Sequence, residues 1–417
     1  MVENGRNVRV VDKLKKIISK YYEIEVYREE DYSFEPTCII KVTAPKPAEH
    51  FRQMHLEFKK IGFQAKFHAL KKDELKEHKL ETRDDIKWFS VSFEAKEFEK
   101  DIAKTKRNKI IQVILLVTTI ILVIVSAWVY DTYFDPFYSG FWALFSFCLG
   151  MFLIIIVHEF GHVFLSRFHK LDASLPYLIP GPPPIGMLGA FVSIRDDPQT
   201  RNQKFDVAFG GIILGIIISI ILVIVGLLLS VQMDMSSYLQ LRVDFFGGSL
   251  AEEAEFVHEH LNSYNLLFLG FRFLFFDKAA YATYYGFNLP QSVVLIHPLA
   301  FTGWLGLLIS GLNLVPISFL DGGHIFKAVF PYRFIKLIGL GIGCLIFLFL
   351  NPYLLWFAFI GLPGAVMDLN PEIKSENIPN PIVPLTKSRK IYAACIIGIF
   401  ILLFPLTFNN LFFGFGF

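Results

Sequence analysis

The chain has 417 residues, 53% of them hydrophobic, and a mean hydropathy of +0.47. That composition excludes an ordinary soluble enzyme, which needs more polar residues to cover its surface. The formal net charge of +2 gives no reason to expect a nucleic-acid partner, and the charges concentrate in the N-terminal quarter.

The first hundred residues read as a soluble α+β unit. Val11, Leu14, Ile17, Ile18 and Tyr21 recur at helical spacing, and Ile24 to Tyr27 alternates like a strand. Cys38 to Thr43 is a second strand, closed by Ala44-Pro45-Lys46-Pro47. His50 to Ile61 predicts a helix, and Phe63 to Leu70 and Trp88 to Phe93 predict two more strands. His55, His68 and His78 are scattered and read as solvated surface residues. Val2 to Lys16 mixes both charge signs without an apolar core, so it does not read as a signal peptide.

A basic cluster follows, with Lys100, Lys104, Lys106, Arg107 and Lys109, and then the hydrocarbon begins. Spans are predicted near Asn108 to Tyr130, Gly140 to Phe168, Asp206 to Ser230, Gln291 to Ser318, Phe334 to Leu350, Tyr353 to Met367 and Ile391 to Phe408. The expected architecture is an α-helical polytopic membrane protein of about 6–7 transmembrane helices behind an N-terminal soluble α+β domain. Its parts divide as 1–99 head, 100–130 basic linker and first span, 131–330 core and 331–417 C-terminal helices. The positive-inside rule puts the head in the cytoplasm and the C-terminus outside. Asn265 to Phe276 is apolar but too short to span and reads as re-entrant or interfacial. Cys38, Cys148, Cys344 and Cys395 have no metal-ligand spacing and read as small hydrophobes.

Within the second span lies His158-Glu159-Phe160-Gly161-His162. On a helix, residues four apart share a face, so both imidazoles can grip one zinc ion while Glu159 takes a proton from the bound water. The competing reading is two histidines packed near a helix end. Ionisable groups in a spanning helix are costly, which favours function. A catalytic zinc needs a third protein ligand, and Asp321 is the candidate, in Asn313-Leu314-Val315-Pro316-Ile317-Ser318-Phe319-Leu320-Asp321-Gly322-Gly323-His324. The alternative for Asp321 is a helix cap at the membrane edge.

Together these elements resemble the site-2 protease family of intramembrane zinc metalloproteases, over Phe141 to Val329. The similarity is greatest to the branch found in archaea, cyanobacteria and plant plastids. It rests there on Ile296-His297-Pro298-Leu299, Gly303-Trp304-Leu305-Gly306-Leu307 and the Asn313 to His324 stretch. The resemblance implies one Zn2+ on His158, His162 and Asp321, Glu159 as general base, and Asn313 steadying the substrate carbonyl. It also implies transmembrane-protein substrates met in the lipid bilayer. Many relatives open the third span with Ala-Gly-Pro, where this chain has Ala208-Phe209-Gly210-Gly211. There is no insertion long enough for a PDZ domain, and His297 and His324 are expected to be structural.

Between the second and third predicted spans, Leu175 to Ile194 holds five prolines and cannot be a spanning helix. Gly189, Ala190, Phe191 and Val192 have strand character there, and are expected to form an open edge that pairs with unwound substrate. An ordinary cytoplasmic loop is the alternative. For the whole chain the competing functions are a metal-ion transporter using the same ligands and a catalytically silent scaffold. Oligomeric state has no sequence signal.

Overall fold

In a computed structural model the described residues form stretches 12–28, 37–42, 48–70, 87–95, 102–133, 140–171, 176–181, 186–191, 200–260, 281–317, 320–330, 335–350 and 383–403, with a few single residues besides. The chain divides into two compact units. The first comprises residues 1–106, 198–202 and 374–386, and the second comprises the remainder.

The first unit contains helix α1 (residues 12–19), β1 (Glu23–Arg28), β2 (Thr37–Val42), α2 (Ala48–Lys60), β3 (Phe63–Ala69) and β4 (Lys87–Ala95). The four strands form one antiparallel sheet in the order β1-β2-β4-β3. Leu14, Ile18, Met54 and Phe58 from the helices bury against Ile40, Val91 and Phe93 from the sheet, each essentially without solvent exposure. The two periodicities of the sequence, helical and alternating, thus meet in one core. Val383 joins that same core from far along the chain. Nearby, Asn202 accepts from the Thr386 N–H at 3.2 Å and donates to the Pro384 carbonyl at 3.4 Å.

Helices α3 (Ile102–Tyr133), α4 (Phe141–Phe168) and α5 (Arg201–Leu228), which apart from the first residues of α3 and α5 belong to the second unit, contain segments long and apolar enough to cross a membrane. Helix α4 shows why such a helix sits in lipid. Phe145, Ile156, Phe160, Phe164 and Phe168 project outward, while Ala143, Phe147, Met151, Ile154 and Ile155 turn inward. Both faces are apolar, so a hydrocarbon surround suits the outer one.

Between α4 and α5, β5 (Tyr177–Pro180) and β6 (Met187–Phe191) pair as an antiparallel hairpin. Its turn residue Gly186 has φ +76 and lies against α3, where an added Cβ would come 2.7 Å from the Val123 Cα. After α5 come β7 (Val231–Asp234), α6 (Met235–Phe246), α7 (Leu250–His260) and the hairpin of β8 (Tyr281–Tyr284) and β9 (Phe287–Pro290). Strand β10 (Ser292–Leu295) then pairs with β7, and Met235, Leu239, Ala254, Leu289 and Leu295 bury together. The Asp234 side chain caps α6 by accepting from the Ser237 N–H at 2.9 Å. Arg242 of α6 ion-pairs with Glu253 of α7 at 2.5 Å.

The remaining helices are α8 (Pro298–Asn313), α9 (Asp321–Val329), α10 (Ile335–Leu350) and α11 (Lys387–Leu403). The predicted span from Gln291 to Ser318 is therefore corrected. Its first residues are strand β10, and helix begins only where His297 caps Pro298. β-branched Val293 and Val294 favour the strand, and proline at the first helical turn favours starting there. The Nδ1 of His297 accepts from the Leu299 N–H at 3.2 Å, the structural role expected for that histidine. The predicted Tyr353 to Met367 span and the Asn265 to Phe276 segment lie outside the described residues.

Candidate active site

The inward face of α4 continues past Ile154 and Ile155 to His158, Glu159 and His162, all buried. Helical spacing places the two imidazoles in the same row as the core residues below them. Helix α5 lies alongside in antiparallel register, so that Gly211 meets His162 and Gly215 meets His158. Helix α8 closes the third side. Gly150 of α4 rests on Thr302, Gly306 of α8 on Ile154 and Ser219, and Gly303 on the α5 backbone at Val223. Glycine at these crossings lets three backbones approach more closely than side chains would permit.

Asp321 reaches the histidines from the other end of the sequence. Pro316 and its neighbours end α8, and α9 starts at Asp321. The return is tight at Gly322, where a Cβ would stand 2.1 Å from the Leu314 carbonyl oxygen. Asp321 does not cap its helix, because the N-cap position is held by Leu320, which makes no side-chain bond there. Its carboxylate turns instead to the imidazoles, with Oδ2 3.2 Å from His158 Nε2 and 3.3 Å from His162 Nε2. The first turn of α9 also favours a negative charge through the helix dipole.

His158 Nε2 and His162 Nε2 are 3.1 Å apart, so the three atoms form a nearly equilateral triangle. Two ligands held at about 2.0–2.1 Å on a tetrahedral ion stand about 3.3 Å apart, so the triangle matches one face of such a shell. The tautomer also fits. His162 Nδ1 donates to the Val207 carbonyl at 2.8 Å, which leaves Nε2 with its lone pair toward the other two atoms. Two imidazole nitrogens and a carboxylate oxygen suit a zinc-like divalent cation.

Glu159 lies beside this set, with a carboxylate oxygen within 4.8 Å of a ring nitrogen on each histidine. Its Oε2 is buried and has no hydrogen-bond partner among the described residues. A buried carboxylate oxygen without a partner fits a group that acts on a bound water or substrate proton. Asp321, closer to both Nε2 atoms, is the better third ligand.

Asn313 is the half-buried last residue of α8. Gly189, Ala190 and Phe191 lie in β6, while Val192 is outside the described residues. Among the described residues β6 pairs only with β5. Two contributors escaped the sequence reading. One is the Val207 carbonyl, which orients His162. The other is the pair Gly211 and Gly215, visible in the sequence only as small residues four apart on an apolar helix.

Residues 146–350 match the model of peptidase family M50. The resemblance to site-2 proteases is thereby borne out. Over 192 residues the chain is 29% identical to "Probable zinc metalloprotease EGY1, chloroplastic" of Arabidopsis thaliana, covering 46% of this chain and 30% of the relative. The rice protein of the same name is 30% identical over 183 residues, covering 43% and 27%. "Probable zinc metalloprotease EGY2, chloroplastic" of Arabidopsis thaliana is 27% identical over 179 residues, covering 42% and 26%. The matched part of the chain thus spans under a third of the length of these curated relatives. No solved structure matches.

Proposed function

We propose that this chain is a member of peptidase family M50 and an intramembrane zinc endopeptidase that hydrolyses peptide bonds within the transmembrane segments of other membrane proteins. The observation that carries this reading is the triangle of His158, His162 and Asp321 with Glu159 beside it, the two histidines and Glu159 standing on a helix that is otherwise mostly apolar. His158, His162 and Asp321 would hold one zinc ion. When bound, zinc supplies Lewis acidity that makes an oxygen nucleophile available near neutral pH.

The chain's own groups do the rest. Glu159 Oε2 accepts the proton of the attacking water and later returns it to the leaving amine. Its burial keeps competing solvent from that proton. Asn313 is read as a donor to the oxygen that gains charge during attack. Neither a transport site nor a scaffold needs a buried base beside two ligating histidines, and nothing observed favours those alternatives.

A helical substrate hides its carbonyls, and exposing them in lipid is costly unless they find new partners. Strand β6, from Gly189 to Phe191 with Val192 following, is read as the edge that takes up the unwound substrate by β-augmentation. The architecture is read as 6–7 spans, with the Leu175 to Ile194 segment re-entrant. Lys100, Lys104, Lys106, Arg107 and Lys109 support a cytoplasmic head and a site toward the cytoplasmic side.

The test is cleavage of a panel of transmembrane-segment reporters by purified protein in lipid, with Glu159→Gln alongside and zinc measured in both. Cutting that is lost in Glu159→Gln while zinc is retained supports the reading. Zinc-free, well-folded wild type that cuts nothing overturns it.

A further inference from the structure

We infer that Gly211 and Gly215 of α5 are positioning residues that seat the two metal-binding imidazoles, an inference that rests on the zinc reading above. A Cβ at position 211 would stand 2.1 Å from His162 Nε2, 2.3 Å from Cε1 and 2.6 Å from Cδ2. The ring therefore occupies the space where any other residue would carry its side chain. Its metal-facing nitrogen is the atom most obstructed. A Cβ at position 215 would stand 2.8 Å from His158 Nδ1 and 3.3 Å from Ser310 Oγ, a milder intrusion on the second ligand.

The two contacts belong to one device. His162 lies one helical turn beyond His158 on α4, and Gly215 lies one turn beyond Gly211 on α5. The helices run antiparallel, so each histidine faces one glycine. Val207, one turn before Gly211, supplies the carbonyl that takes the His162 Nδ1 proton at 2.8 Å. A single strip of α5 backbone thus sets both the tautomer of His162 and how closely its ring can lie. Val207 holds one edge of the ring, and Gly211 leaves room for the other. A side chain at 211 would push Nε2 out of the triangle it makes with His158 and Asp321, because the Val207 bond prevents the ring from simply sliding along α5.

Gly226 serves as the control. It belongs to the same helix, and a Cβ there would stand 2.0 Å from the Ala300 nitrogen, yet no candidate metal ligand is among its near neighbours. Its loss tests general helix packing alone.

The experiment compares full-length wild type, Gly211→Ala, Gly215→Ala and Gly226→Ala, each stripped of metal. Each is titrated with zinc against a chromophoric chelator, and the cobalt-substituted d–d spectrum and melting temperature are recorded. Zinc binding should weaken by about tenfold or more in Gly211→Ala, the range seen when ligand-orienting groups are lost. Gly215→Ala should weaken it less and shift the cobalt bands. Gly226→Ala should melt earlier and bind zinc as wild type does. Should Gly211→Ala fail to fold, Gly215→Ala decides. Wild-type zinc affinity and cobalt bands in both glycine variants would overturn the inference, as would equal weakening in Gly226→Ala. A wild type that binds no zinc at all would instead overturn the metal reading, and this inference with it.

Discussion

The carbonyl of Val207 accepts from Nδ1 of His162 at 2.8 Å, and this one bond decides which ring nitrogen is free to meet Asp321. A carbonyl oxygen can only accept, so Nδ1 must carry the proton and Nε2 the lone pair. On the zinc reading, α4 therefore presents His162 already in the required tautomer, and its ring does not have to turn over to meet a metal.

The three ligands should act as a set. His162→Ala or Asp321→Asn should lower zinc affinity by about 100-fold or more, since even orienting partners cost 10–100-fold. Glu159→Gln should keep zinc and lose about 10²–10⁴-fold in cleavage rate, the usual contribution of a general base. Chelator competition and reporter cleavage on the same preparations check both.

Zinc should also stabilise the fold. Free zinc at 100 times its dissociation constant should add about 2.7 kcal/mol, provided that unfolded chain binds none. The melting temperature should fall on chelation and recover on adding zinc, and the Asp321→Asn variant should show a much smaller response.

The α5–α11 contact should carry measurable stability. Asp206 takes Arg389 in a bidentate pair, with Nε–Oδ1 at 2.6 Å and Nη2–Oδ2 at 2.5 Å, and His169 Nε2 lies 2.9 Å from the same carboxylate. Tyr392 stacks on Phe209 beside it, with ring centroids 5.8 Å apart. A charge-assisted, partly buried pair of this kind contributes about 1.5–3 kcal/mol. A double-mutant cycle with Asp206→Ala and Arg389→Ala should return coupling in that range, and coupling near zero would contradict it.

The head should report its own unfolding through Cys38. Burial in the sheet pushes this thiol up to about 12. At pH 8 a thiol reagent should therefore leave Cys38 unmodified until the head opens. The raised value also sets a sign: its contribution to stability is fully present below the ordinary thiol range near 8.5 and is lost as pH rises toward about 12. Head stability, followed by chemical denaturation of the full chain with head tryptophan fluorescence as the readout, should fall across that window, and Cys38→Ala should flatten the decline.

If β6 is the substrate edge, proline replacements along Gly189, Ala190 and Phe191 should alternate in effect. Successive N–H groups of a strand point to opposite edges, so prolines facing β5 should weaken the hairpin. Those facing the open edge should spare melting temperature and zinc content yet abolish cleavage. Uniform effects on cleavage and stability at all three positions would remove β6 from the substrate path.

Much of this protein was legible from local pattern. The alternating and helical periods of the head, the long apolar runs of α3, α4 and α5, and the His158-Glu159-His162 spacing each follow from rules that act within a few residues. The approach of Asp321 to the two histidines was also legible, because a zinc site would need a third ligand and few carboxylates lie in apolar sequence. Local pattern erred at Gln291 to Ser318, where apolarity alone could not separate strand β10 from helix α8. What only the tertiary structure decided was which backbone faces each imidazole. Val207, Gly211 and Gly215 carry no chemical signal in their own sequence, since a carbonyl belongs to every residue and a missing side chain is informative only against what fills its place. Their role exists because α4 and α5 cross in one antiparallel register, and that register is set by packing between residues distant in the chain.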